Sequence, residues 1–225
     1  MFSRLLNMVI GTALVSFGII AAIKANIGYA PWDVFHVGFS NTTGISFGMT
    51  TIIVGLVLVV IVTVLGEKFG VGTILNMVLI GVFTDIILLI DILPVANNFA
   101  VGVAMLIAGI FLVSLGSYFY IKTAWGAGPR DNLMVVLARK TKFPVGVCRF
   151  IVEFVVTLIG WMLGGMVGVG TIISVVAIGF CIQFTFWMLK FDVTAVKHQS
   201  FADTIKEIKI ARNFNNNFFH KHKMF

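Results

Sequence analysis

The sequence predicts an all-α integral membrane protein: six transmembrane helices forming two inverted three-helix repeats, each with a short half-helix or interfacial helix after its first span. Three observations predict it: an apolar composition, six apolar stretches of membrane-crossing length, and an internal repeat at a spacing of 98 residues. Hydrophobic residues make up 59% of the 225 and charged residues 11%, against roughly a quarter charged in a soluble domain. The mean hydropathy is +1.06. A chain of this kind has lipid for its solvent, and soluble enzyme classes fall away at once.

A bilayer core of about 30 Å takes about 20 apolar residues as helix. The stretches that meet this lie at about 5–23, 46–65, 71–90, 100–121, 144–163 and 169–189. The first is preceded only by Met-Phe-Ser-Arg and followed by Lys24 without a small-residue cleavage site, so it reads as a retained helix. Lys24 and Lys122, at equivalent span ends, are expected to snorkel towards the headgroups. Lys and Arg outside the spans give the orientation. The connection 91–99 has Asp91 and no basic residue, whereas 122–143 has Lys122, Arg130, Arg139, Lys140 and Lys142. Basic connections stay inside, which places both termini in the cytoplasm.

The repeat aligns 11–85 with 109–183 without a gap, with 27 identities in 75 positions, eight of them glycine pairs. That density excludes coincidence and marks a duplicated unit. The chain divides into repeat 1 at 1–95, repeat 2 at 96–190 and a basic cytoplasmic tail at 191–225. Each repeat contains three spans, an odd number, so the second must enter the membrane upside down. Secondary transporters use inverted repeats because two similar halves that exchange conformations turn outward-open into inward-open states.

After its first span, each repeat has an apolar connection of uncommon length, 25–45 and 123–143. Pro31 and Pro129 fit the first position of a helix, where the missing N–H costs nothing. Asp33 and Asp131 follow in the first turn, where a carboxylate can cap and orient the helix start. Gly28 and Gly126 precede them as helix-start structural positions. A re-entrant half-helix and an interfacial helix both fit this pattern, and both put Asp33 and Asp131 among the substrate- or ion-binding candidates. Gly11, Gly18, Gly109 and Gly116 mark helix faces built for close packing.

A binding site that is not symmetric is sought where the copies disagree. Trp32 pairs with Arg130, His36 with Met134, Thr51 with Arg149, Gly55 with Glu153 and Asp85 with Gln183. Glu153 falls midway along the fifth span, where an ionised group is costly unless paired or wet. Arg149, four residues earlier, shares its face and can pair with it. Arg130, Arg149, Glu153 and Asp85 therefore complete the candidate set. His36 alone reads as an interfacial residue.

The tail has six Lys/Arg against three Asp/Glu. Ser200 and Asp203 resemble a capping box ahead of an amphipathic face, which suits a helix lying on the anionic inner leaflet. Nucleic-acid binding is not expected. His220 and His222 are too weak a pair to assign a metal, and Cys148 and Cys181 sit inside spans with no disulfide or metal spacing. The sequence has no Walker A loop, no HExxH and no GxSxG, so no cofactor and no enzymatic reaction is expected.

The element Gly28-Tyr29-Ala30-Pro31-Trp32-Asp33, returning as Gly126-Ala127-Gly128-Pro129-Arg130-Asp131, resembles that of bacterial YczE/YyaS/YitT-type membrane proteins. The Val-Gly-Thr-Ile segments at 71–74 and 169–172 carry the same likeness, which covers about 1–190. The resemblance implies a multi-pass protein of the bacterial cell membrane and transfers no catalytic residue. From the residues themselves, the expected function is a small secondary transporter or permease of a small molecule or ion, with alternating access between its halves. Its expected partners are the lipid bilayer and that substrate, with a homo-oligomer or a partner subunit left open. Two rivals remain: a membrane substrate-binding subunit served by a separate energising partner, and a non-transporting accessory membrane protein.

Overall fold

The computed structural model describes residues 2–192 together with Val196, Gln199 and Phe201. The predicted tail helix from Ser200 onward and the His220–His222 pair lie outside the described residues, apart from Phe201. Eight helices make up the described chain: α1 (Phe2–Lys24), α2 (Pro31–Thr43), α3 (Phe47–Val64), α4 (Val71–Ile90), α5 (Phe99–Ile121), α6 (Pro129–Thr141), α7 (Val145–Met162) and α8 (Val169–Met188). Six of them have 18 to 23 residues and are apolar enough to cross a membrane. At 1.5 Å per residue they reach roughly 27–35 Å, the thickness of a bilayer core. α2 and α6, with 13 residues each, reach about 20 Å and cannot cross.

Local chemistry sets the ends of these helices. α2 and α6 begin on the predicted prolines, and both end on a left-handed residue, Gly44 (φ 74°) and Lys142 (φ 62°). Ser46 accepts from Met49 N at the start of α3, and Asn98 from Val101 N at the start of α5. Thr73 and Thr171 each accept from the backbone N–H three residues earlier, Gly70 N and Gly168 N, at the starts of α4 and α8.

Small residues decide the packing. A Cβ on Gly116 would stand 2.5 Å from the Gly11 carbonyl oxygen, and one on Gly109 would stand 2.6 Å from that of Gly18. The contacts pair rising numbers on α1 with falling numbers on α5, so these two central helices run antiparallel. α1 also packs on α4 and α5 on α8, while α2 lies on α7 and α6 on α3. Each short helix thus packs chiefly on the other half, with a smaller contact to the span that follows it. In lipid no hydrophobic drive joins helices, and such close backbone approach supplies the van der Waals contact instead.

The connections before α2 and α6 cross over in the same way. Gly170 N donates to Ile27 O at 2.7 Å, and Gly72 N donates to Trp125 O at 2.9 Å. Gly28 (φ 115°) and Gly126 (φ 136°) hold left-handed conformations there, pressed on Gly168 and on Gly70 with Thr73 respectively. Gln199 N donates to Ala124 O and Phe201 N to Phe69 O, so the start of the tail fastens to two connections at the same end of the bundle.

The two halves differ most plainly where their second and third spans meet. α3 packs along α4, and a Cβ on Gly81 would stand 2.6 Å from the Gly48 carbonyl oxygen. α7 and α8 are splayed: Gly146 and Gly179, the repeat counterparts of Gly48 and Gly81, have nothing within 4 Å of an added Cβ. The outer faces are apolar, as with Phe150, Phe154 and Phe180 at 64%, 60% and 69% exposed. That surface makes contact with the lipid bilayer.

Candidate functional site

A cavity of about 350 Å³ lies at the centre of the bundle and takes residues from all eight helices. The α2 and α6 starts open into it, because the crossed connections carry both short helices to the interior. Pro31 and Pro129 sit at the first helical position as expected. Asp33 is 5% exposed, and its Oδ1 has no hydrogen-bond partner among the described residues. It makes no side-chain cap, contrary to the role expected of it, so the α2 start is shaped by Pro31 and by the Asp33 N and Val34 N bonds to Ala30 O. Asp131 lies beside the Tyr120 hydroxyl, which donates to its Oδ2 at 3.5 Å.

Arg130 extends from α6 towards α2. Its Cζ stands 4.9 Å over the Trp32 ring, a cation–π contact. Its Nη2 comes to 3.3 Å and 3.4 Å from the two His36 ring nitrogens. Trp32 and Arg130 are repeat counterparts, so the mismatched pair meets itself across the centre. His36 is not interfacial. It is 1% exposed, approached by Thr51 Oγ1 at 3.3 Å and edge-on to Phe47. The sequence did contain a signal for it, since Asp33 and His36 share a helix face three residues apart.

Arg149 and Glu153 pair as expected, Nε to Oε1 at 2.8 Å. Glu153 is nearly buried, whereas the Arg149 side chain is 42% exposed. The pair lines the cavity on the side where α7 and α8 are splayed. Its Gly55 counterpart accommodates Met77 of α4 instead. The open arrangement thus leaves Glu153 facing the space that a helix fills in the other half.

Asp85 is separate from this group. It accepts from Ser46 Oγ at 2.5 Å and from Gly48 N at 2.7 Å, fastening the end of α4 to the start of α3. Lys24 reaches Asp91 at 2.5 Å, and Lys122 donates to the Tyr118 hydroxyl at 3.0 Å, so both have protein partners. Sequence reasoning passed over Asn76 and Ser174. They are repeat counterparts, both buried in the cavity wall, and Asn76 Nδ2 and Ser174 Oγ lack partners among the described residues. Polar residues at matched positions of two apolar spans were the available signal. No group of metal-ligating side chains occurs among the described residues.

Comparison with known proteins supports the membrane assignment. The family described as "Family of unknown function (DUF6198)" matches residues 2–186. The "Uncharacterized membrane protein YczE" of Bacillus subtilis is 32% identical over 177 residues, covering 78% of this chain and 81% of the relative. An "Uncharacterized protein" of Haemophilus influenzae is 32% identical over 162 residues, covering 72% and 73%. The B. subtilis "Uncharacterized protein YyaS" is 25% identical over 175 residues, covering 74% and 84%. No solved structure matches.

Proposed function

The chain belongs to the DUF6198 family of unknown function, and on that premise we propose that it is a small secondary transporter whose two inverted three-span units alternate around the central cavity. One observation carries the reading: the same pair of glycines is packed tight in one half and parted in the other. Gly48 and Gly81 close α3 on α4, while Gly146 and Gly179 leave α7 off α8. In the alternate state the roles exchange. Two states that use equivalent contacts lie close in energy, as a carrier needs.

Inversion of the units is favoured by the antiparallel α1–α5 contacts and by the reciprocal bonds Gly170 N to Ile27 O and Gly72 N to Trp125 O. Each contact has a mate displaced by 98 residues at both ends, as a two-fold relation demands. With both termini cytoplasmic, as the basic connections favour, the closed α3–α4 contact faces outside. The parted α7–α8 contact faces the cytoplasm, which makes the arrangement inward-open. The Asp85–Ser46 fastening has no equivalent, since Gln183 and Pro144 occupy the matching positions. The closed contact is therefore the stronger of the two, and the inward-open state is the resting one. Glu153 and Arg149, at the cytoplasmic side of the cavity, supply the ion-coupled contact.

Single cysteines at Thr51 and Met134, in a background without Cys148 and Cys181, test this directly. Membrane-impermeant thiol reagents are expected to label each position from either side of oriented vesicles. Labelling from one side only, or only by lipid-soluble reagents, would point to an accessory protein and end the transport reading.

A further inference from the structure

Two opposite charges face the central cavity without neutralising one another. Asp33 is buried, with Oδ1 unpartnered among the described residues. The Arg130 guanidinium lies on Trp32 and His36, and no carboxylate of the described residues is recorded within 4.0 Å of it as an ion pair. Asp33 and Arg130 both line the cavity, and the Asp131 and Glu153 carboxylates also act on Arg130. The remaining charges are engaged: Glu153 holds Arg149 at 2.8 Å, and Asp131 is approached by Tyr120. Asn76 Nδ2 adds a free donor to the wall, and Ser174 Oγ adds a group that can donate or accept.

A buried carboxylate without a partner is costly, as is a guanidinium with no anion in contact, and a ligand that partners both at once offsets both costs. A simple anion would satisfy Arg130 and bring repulsion to Asp33, and a simple cation would do the reverse. Charge complementarity thus selects a molecule that has both signs. The α6 helix start, which holds Arg130 in its first turn, favours the negative end. The part of the wall on α1, α4 and α5 includes the aliphatic residues Val15, Ile19, Ile80, Ile110 and Val113. The cavity of about 350 Å³ has the volume of roughly ten waters, enough for a compact molecule.

We infer that the cavity binds a small zwitterion of amino-acid size, its carboxylate on Arg130, its ammonium on Asp33 and an apolar side chain against α1 and α5. This rests on the transport reading of the same cavity and names its substrate class.

The test uses the full chain in nanodiscs and measures thermal stabilisation by the twenty standard amino acids, glycine betaine and two single-charge analogues of leucine. Isocaproate keeps its carboxylate and lacks the ammonium; isoamylamine has the reverse. At least one apolar zwitterion is expected to bind ten-fold or more tightly than its single-charge analogues. Asp33→Asn should weaken that zwitterion at least ten-fold and strengthen isocaproate, and Arg130→Gln should weaken it and strengthen isoamylamine. Misfolding cannot produce such a gain. If either variant fails to fold, the wild-type comparison of leucine and its analogues decides alone. Equal or tighter binding of a single-charge analogue, or no binding by any zwitterion, overturns the inference. If cysteines at Thr51 and Met134 still label from both sides while no zwitterion binds, the substrate class is wrong and transport stands. If a zwitterion binds but labelling is one-sided, the site stands and transport fails.

Discussion

Replacing Gly48 by alanine sets a methyl group on the Gly81 carbonyl oxygen, with the Asp85 carboxyl carbon and Oδ1 at 2.6 Å and 2.7 Å. Two of the obstacles are backbone and a fastened carboxylate, so neither can swing aside, and α3 must move off α4. Overpacking of this kind costs about 1–3 kcal/mol. The same change at Gly146 meets nothing within 4 Å and costs this arrangement little. In the alternate state the penalties exchange, because Gly146 then closes on Gly179. The two substitutions should therefore shift the equilibrium in opposite directions, each by roughly 5- to 150-fold, the population equivalent of about 1–3 kcal/mol. The assay is the rate of labelling of a cysteine at Met134 from each side of oriented vesicles. Gly48→Ala should speed outside labelling and slow cytoplasmic labelling, and Gly146→Ala should do the reverse. If both shift labelling the same way, or Gly48→Ala only lowers yield while Gly146→Ala is silent, the two glycine pairs are not alternating contacts and the reasoning fails.

Asp85→Asn should loosen the same contact by weakening charge-assisted bonds to Ser46 Oγ and Gly48 N, each worth about 1.5–3 kcal/mol. Labelling should then move in the Gly48→Ala direction, and an unchanged pattern would deny Asp85 its fastening role. Glu153→Gln breaks the pair with Arg149 and should abolish concentrative uptake while leaving substrate exchange; concentrative uptake at the level of the unsubstituted protein would remove Glu153 from coupling. Gly28→Ala forces a side chain into φ 115° against the Gly168 backbone and should cost about 1–3 kcal/mol. Its signature is a lower melting temperature with unaltered sidedness of labelling, and a shift in sidedness without a stability loss would contradict it. Lys24→Ala should change stability by less than about 1 kcal/mol, because its Asp91 partner is 68% exposed; a larger loss of melting temperature would show that the pair anchors the connection 91–98.

Much of the architecture was readable because lipid allows so few solutions. A span must satisfy its own backbone, so apolar length alone located all six crossings within a few residues. Pro31 and Pro129 announced the short helices, whose starts admit a residue without an N–H. Arg149 and Glu153 announced their pairing through a four-residue spacing that any helix converts into a contact. His36 was misread because its burial depends on tertiary contacts with α3 and with α6, which begins 93 residues further along the chain. Asp85 was grouped with the cavity because one dimension cannot show that its partner is the start of α3.

Local periodicity, span length and the 98-residue repeat determined by themselves that this is a multi-pass helical membrane protein made of two like units. Those properties depend on neighbours in the chain and on the solvent. Tertiary structure alone decided which copies touch: Trp32 beneath Arg130, Asp33 left without a partner, Asn76 matched by Ser174 in one wall. It alone decided that Gly48 and Gly81 are closed while Gly146 and Gly179 are open. The paired glycines are identical in sequence, so the difference cannot be written in them. It lies in what surrounds them: Asp85 fastens α4 to Ser46 Oγ and Gly48 N at the start of α3, and Gln183 and Pro144 stand where Asp85 and Ser46 would recur.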